Sequence, residues 1–120
     1  DGNLSVDRVV AVIDAGYAIS PDGMKAQIES GIIYGLSAAL YGEITIKDGA
    51  VAQSNFHDYS SLRMSKAPTI ETHIINSGEV MGGAGEPGTP PIAPALANAI
   101  FNATGERIRQ LPIKNAMFSV

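Results

Sequence analysis

Residues 21–41, PDGMKAQIESGIIYGLSAALY, place Met24, Ile28, Ile32, Leu36 and Leu40 at every fourth position. That spacing predicts a long helix with a slowly drifting apolar stripe. Ser20 at the N-cap and Pro21 as first helical residue give it a start. Beside the stripe lie Gln27, Gly31, Gly35 and Ala38, which fall within about 80° of one another at roughly 100° per residue. A glycine inside a helix costs about 1 kcal/mol relative to alanine. Two of them four positions apart therefore imply that something approaches the helix backbone closely. A second helix or a sheet is one candidate, and the edge of a ligand is the other.

The other elements must pack around that helix. Residues 4–15, LSVDRVVAVIDA, are rich in valine and isoleucine and read as a strand. Residues 43–54 alternate around Asp48-Gly49, a strong two-residue turn signal, and read as a hairpin. Residues 69–77, TIETHIINS, read as another strand, and the glycine-rich stretch 78–88 as a loop. A second helix spans 89–104 and ends at Gly105. Its prolines, Pro90, Pro91 and Pro94, are tolerable only in its first turn, where amide donors lack partners anyway. ERIRQLPI, 106–113, reads as a short last strand or an extended tail. The expected class is α+β: a mixed, mostly antiparallel sheet with two long buried helices, in the order β-α-β-β-β-α-β.

Hydrophobic residues make up 45% of the chain and charged residues 17%. Roughly 25% charged is usual for a soluble domain, so some surface of this chain should be covered by another body. The expectation is a single piece over 1–120 that forms part of a longer subunit, or an oligomer of this chain; a first residue Asp1 instead of Met agrees with the former. The net charge is −4 and no basic run exists, which argues against nucleic acid and anionic membrane as partners. Without cysteine the chain cannot supply disulfides, thiolate catalysis or thiolate ligation of metal clusters. No stretch is long and apolar enough to span a bilayer, and the compartment stays open.

GGAGEPGTPP, residues 82–91, contains G-x-G-x-x-G, the spacing of a dinucleotide-binding loop. The context argues against that use. SGEVMG separates the loop from the preceding strand, Pro87 removes a backbone donor, and Glu106 is misplaced to hold a ribose. What remains is Glu86. Pro87 restricts its backbone to extended conformations, and flanking glycines allow close approach of another molecule. Two readings stand: a carboxylate favoured by a helix N-terminus, and a carboxylate aimed as a general base.

GGAGEPGTPPIAPALANAIFNATGERIRQLPI resembles the C-terminal end of the molybdenum hydroxylases, the xanthine oxidase and aldehyde oxidase family. QIESGIIYGLSAALYGEITIKDGAVAQSNFHDY and VDRVVAVIDAGYAISPDGMKAQIE resemble the two preceding blocks of the same large subunits, nearest those of isoquinoline 1-oxidoreductases and aldehyde dehydrogenases. The likeness runs in order from Val6 to Ile113. It implies the C-terminal portion of a molybdopterin-binding domain, in an enzyme that oxidises an aldehyde or N-heterocycle carbon with water as oxygen source. The implied cofactor is molybdopterin carrying molybdenum, in the cytosine dinucleotide form, with none bound by the 120-residue piece alone. Glu86 matches the family's catalytic base. Gly85 and Ala84 match the loop beside the metal's ligands, and Gln27 matches a glutamine that contacts the pterin, where an amide offers both donors and an acceptor. The implied partners are the rest of the large subunit, an iron–sulfur small subunit and the small-molecule substrate. The family allows a bacterial periplasm or cytoplasm.

Other residues attract notice and carry less. His57 with Asp58 and Tyr59, and His73 near Glu71, lack a third ligand at useful spacing for a metal. Arg107 and Arg109 alternate on an extended segment and read as a solvated face. In DAGYAISP, Ala15 stands where relatives of the resembled family often carry cysteine after Asp14, a structural variation.

Overall fold

The computed structural model describes residues 3–113. Its elements are β1 (Arg8–Asp14), α1 (Pro21–Leu40), β2 (Ile46–Lys47), β3 (Ala50–Val51), a single 3-10 turn at Met64–Lys66, β4 (Thr69–Ile75) and α2 (Thr89–Thr104).

The main sheet departs from the expected mostly antiparallel arrangement. β1 pairs with β4 in parallel, from Arg8 opposite Thr69 to Asp14 opposite Ile75. The reason lies in the connection. α1 carries the chain back along the sheet, so the next long strand enters at the same end as β1; such a crossover gives parallel pairing. Antiparallel pairing survives only in the hairpin, where Ile46 faces Val51 and Lys47 faces Ala50. Asp48 and Gly49 both have positive φ, 51° and 80°, the combination a type I′ turn needs.

α1 starts as its sequence dictates. Pro21 opens the helix without a missing donor, and the Met24 N–H reaches the Ser20 carbonyl at 2.9 Å. The Ser20 hydroxyl makes no capping bond. α1 packs against α2 and β4, burying Ile28, Gly31, Ile32, Gly35, Leu36 and Ala39. Leu36 is fully buried, worth about 1.5–3 kcal/mol for a side chain of that size. α2 contributes Ile92, Leu96 and Ile100 and ends at Gly105, whose left-handed φ of 78° lets its N–H bond the Phe101 carbonyl at 2.8 Å.

The expectation of two buried helices holds for one face of each. Lys25, Glu29 and Tyr34 of α1 are exposed, as are Pro94 and Ala95 of α2, because α1's cover among the described residues is chiefly α2 and one two-stranded sheet. The expected last strand does not form. Residues 106–113 pair with no strand. Arg107 lies 3.4 Å from the centre of the Phe101 ring, a cation–π contact that holds an otherwise exposed side chain. Ile113 is buried in the core and donates its N–H to the Ala39 carbonyl at 2.7 Å.

The two glycines of α1 meet a helix. A side chain at Gly31 would lie 3.1 Å from the Thr89 nitrogen, and one at Gly35 2.6 Å from the Thr89 carbonyl oxygen. Gly88 answers from the other side: a Cβ there would be 2.5 Å from the Ile28 carbonyl oxygen. The start of α2 thus rests on the α1 backbone, and the glycine loop before it is set against the Gln27 turn of α1.

Candidate functional site

Parallel strands deliver their following loops to one end of the sheet, and such sheets place ligands outside the carboxyl ends of their strands. Here β1 runs into residues 15–20 and then α1; β4 runs into residues 76–88 and then α2. Polar bonds stitch the two loops together. The Asp14 carboxylate accepts the Gly16 N–H at 3.0 Å and the Ser77 hydroxyl at 2.8 Å. The Ala18 N–H donates to the Asn76 side-chain oxygen at 3.1 Å. Gly78 N–H reaches the Gly16 carbonyl at 3.2 Å and Gly82 N–H the Ala15 carbonyl at 3.0 Å. Gly16 has φ 81°, and a Cβ there would sit 2.5 Å from the Glu79 carbonyl oxygen, so the loops touch backbone to backbone. The Gly16 amide first, then the Ser77 hydroxyl, holds the Asp14 carboxyl below its ordinary range.

Between these loops and the start of α1 lies an open cleft of about 310 Å³. Gln27, Ala84 and Gly85 all line it, together with Tyr17, Ile19 and Met81. The Gln27 amide donates from Nε2 to the Gly85 carbonyl at 3.3 Å, across 58 positions of sequence. Three residues singled out from sequence alone therefore meet at one place. Glu86 adjoins them without lining the cleft. It is exposed, and its carboxylate has no partner among the described residues; its carbonyl accepts the Thr89 N–H at 3.0 Å in the turn into α2.

Backbone donors are available as well. Among the described residues the N–H groups of Gly83, Ala84, Gly85 and Glu86 have no protein partner, and open space flanks Gly82 and Gly83 where side chains would stand. Pro87 ends this row of donors. A flat, polar ligand rich in acceptors suits such an edge, with the Gln27 oxygen left as an acceptor for its donors.

Tyr17, Ile19 and Met81 were not legible as cleft residues, because nothing in their spacing tells a loop side chain which way to turn. Asp14, Asn76 and Ser77 had a signal: short polar side chains at the ends of two strands, suited to bonding nearby backbone. The histidines stay apart from the cleft. His57 lies 3.6 Å from Asp58 in an exposed loop, where the Ser54 and Asn55 amides also bond that carboxylate. His73 is exposed on β4, and its neighbour Glu71 is paired with Arg8. No group of three potential metal-ligating side chains forms among the described residues, and no described helix is long and apolar enough to cross a membrane.

The chain is similar in sequence and fold to known proteins. The family model described as molybdopterin cofactor-binding domain matches residues 1–68. The chain is 42% identical over 98% of its length to the beta subunit of isoquinoline 1-oxidoreductase from Brevundimonas diminuta, covering 15% of that protein. It is 36% identical over 93% of its length to one of the subunits of nicotinate dehydrogenase from Pseudomonas putida, covering 10% of it. The fold matches that of a Cu,Mo-CO dehydrogenase, with a TM-score of 0.82 at 24% identity, over 94% of this chain and 15% of the other. The chain thus spans about one-seventh or less of these relatives' length. A family model that reaches from β1 through α1 and the hairpin, and sequence likeness that continues through α2, make this chain a member of the molybdopterin cofactor-binding domain family of the molybdenum hydroxylases.

Proposed function

We propose that this chain is the C-terminal portion of the molybdopterin-binding domain in a molybdenum hydroxylase large subunit, which oxidises an aldehyde or N-heterocycle carbon with water as oxygen source. The observation that carries the reading is the Gln27–Gly85 hydrogen bond. It joins α1 to the loop that bears Glu86, at a cleft edged by free backbone donors. Gln27, Ala84 and Gly85 would hold the pterin cofactor, in its cytosine dinucleotide form, and the cofactor when bound supplies a two-electron redox centre. Glu86 would serve as the general base, its carboxylate accepting the proton given up by the water-derived oxygen. Glu86 is exposed in this chain, so the neighbouring parts of the large subunit would have to cover it and exclude water from the site.

The 120-residue chain supplies one wall of such a site, so alone it is inactive. The rest of the large subunit and an iron–sulfur small subunit complete the enzyme. In the longer subunit Glu86→Gln retains molybdenum and loses turnover by about 10²–10⁴-fold, the usual span for a positioned acid–base group; wild-type turnover in that variant removes Glu86 from the mechanism. Gln27→Ala lowers molybdenum content instead, and full occupancy there removes Gln27 from cofactor binding.

A second reading, a packing module without chemistry of its own, draws on the sheet. Val10 and Val12 are 48% and 63% exposed on its open face. Concentration-dependent self-association on size-exclusion chromatography would favour that reading.

A further inference from the structure

Asp14 closes β1 and lies outside the residues that line the cleft. One of its oxygens, Oδ1, receives both the Gly16 N–H and the Ser77 hydroxyl. Those donors belong to different loops, and each loop leads to a different part of the cleft wall. From Gly16 the chain passes directly to Tyr17; from Ser77 it reaches Met81 and Gly82. The Gly78 and Gly82 amides complete the stitch onto the Gly16 and Ala15 carbonyls. Among the described residues the Asp14 carboxylate oxygen is therefore the one side-chain group that takes a donor from each loop, alongside the backbone ties that fix the spacing between two walls of the cleft.

On the cofactor reading given above, we infer that Asp14 is a positioning residue for the pterin: it holds the 77–82 loop against the Gly16 turn so that the row of amides at 83–86 meets the ligand beside Gln27. Hydrogen bonds to a carboxylate are roughly twice as strong as neutral ones. Removing this acceptor leaves two donors without it and frees the loop on the side away from α2. The start of α2 keeps its own seat on Gly31 and Gly35, so the loss should be local.

The test compares the wild-type longer subunit with Asp14→Ala and Asp14→Asn, reading hydrogen exchange at Gly78 and Gly82 and the molybdenum and pterin content of the folded protein. Asp14→Ala should speed exchange at both amides by about tenfold and lower cofactor content by at least about threefold, with α2 amides unchanged; a tenfold change is what loss of a charged hydrogen bond produces. Asp14→Asn keeps an oxygen at the same place and should stay within about threefold of wild type on both measures. Wild-type exchange and occupancy in Asp14→Ala overturn the inference, as does a loss of protection shared equally by α2. Should Asp14→Ala fail to fold, Ser77→Ala removes one of the two donors and must shift the same amides in the same direction; no shift overturns the inference. Absence of molybdenum and pterin from the wild-type subunit overturns the cofactor reading itself, and this inference with it.

Discussion

Gly88, at the helix seam, and Gly49, in the hairpin, are glycines for opposite reasons. Gly88 has an ordinary helical backbone, φ −68° and ψ −22°, yet a Cβ on it would press to 2.5 Å from the Ile28 carbonyl. Gly49 has φ 80° and nothing within 4 Å of where a Cβ would stand. The seam excludes side chains because two backbones meet there. The hairpin favours glycine at position 49 because its turn bends the left-handed way there, a strain that Asp48 beside it tolerates at φ 51°. The seam transmits position: it seats the start of α2, and with it the loop carrying Glu86, on the turn of α1 that follows Gln27. The hairpin transmits nothing of the kind. Its bonds are local, as in the Ala52 N–H to the Thr45 carbonyl at 2.8 Å and the Gln53 side chain folded back on Thr45.

Substitutions can break this contrast. The largest effect is expected at the seam. Gly88→Ala must push α2 off the Ile28 carbonyl, an overpacking cost of about 3 kcal/mol. Hydrogen-exchange protection of the α1 and α2 amides should then drop by about 100-fold in the longer subunit, with cofactor content falling too. Unchanged protection would mean that the seam is loose. A smaller effect is expected in the hairpin, where Gly49→Ala strains only φ, costing about 1 kcal/mol. The Ala52 amide should lose about fivefold in protection while cofactor content stays put. If Gly49→Ala lowered cofactor content as much as Gly88→Ala, the separation of the two regions would be wrong.

The smallest effect sharpens the picture of the loop after the hairpin. The Asn55 and Ser54 amides hold the Asp58 carboxyl below its ordinary value. A lowered carboxyl pKa contributes stability that is complete above the unfolded value, 3.8, and disappears as pH falls through the lower folded value. Asp58 is solvent-exposed, so screening keeps the contribution small. Titration of its carboxyl carbon by NMR should show a midpoint below that of a free aspartate, and Asp58→Asn should leave turnover and both glycine regions unchanged. An ordinary midpoint would show that the Asp58 bonds do not persist in solution.

The same contrast explains what could be read from the chain. Local chemistry was legible where neighbours in sequence decide the outcome: Pro21 at the start of α1, Gly105 at the end of α2, Asp48-Gly49 in the hairpin turn. The glycine spacing of α1 announced a close approach without naming its partner, because Thr89 and Gly88 lie more than fifty positions away. Strand direction was not legible. The expected sheet was mixed and mostly antiparallel, whereas β1 pairs with β4 in parallel, a pairing that depends on where α1 brings the chain back. Residues 106–113 looked like a strand by alternation, but strands need a partner edge, and this segment instead lays Arg107 on Phe101 and sinks Ile113 beside α1. At the site, spacing drew attention to Gln27 and Glu86, while the roles proposed for them and for the 84–85 backbone came from the resemblance. The bond from the Ser77 hydroxyl to Asp14 was not legible, since it forms only where both strands end at the same place.

The parallel pairing of β1 and β4 also bears on how such a chain is made. β1 leaves the ribosome about 60 residues before the strand that will lie beside it, and contacts this distant in sequence form slowly. Until then Val9, Val10, Val12 and Ile13 are an unpaired apolar ribbon, open to capture by any other edge in the cell. The order of synthesis thus leaves β1 without its partner edge until residues 69–75 have emerged.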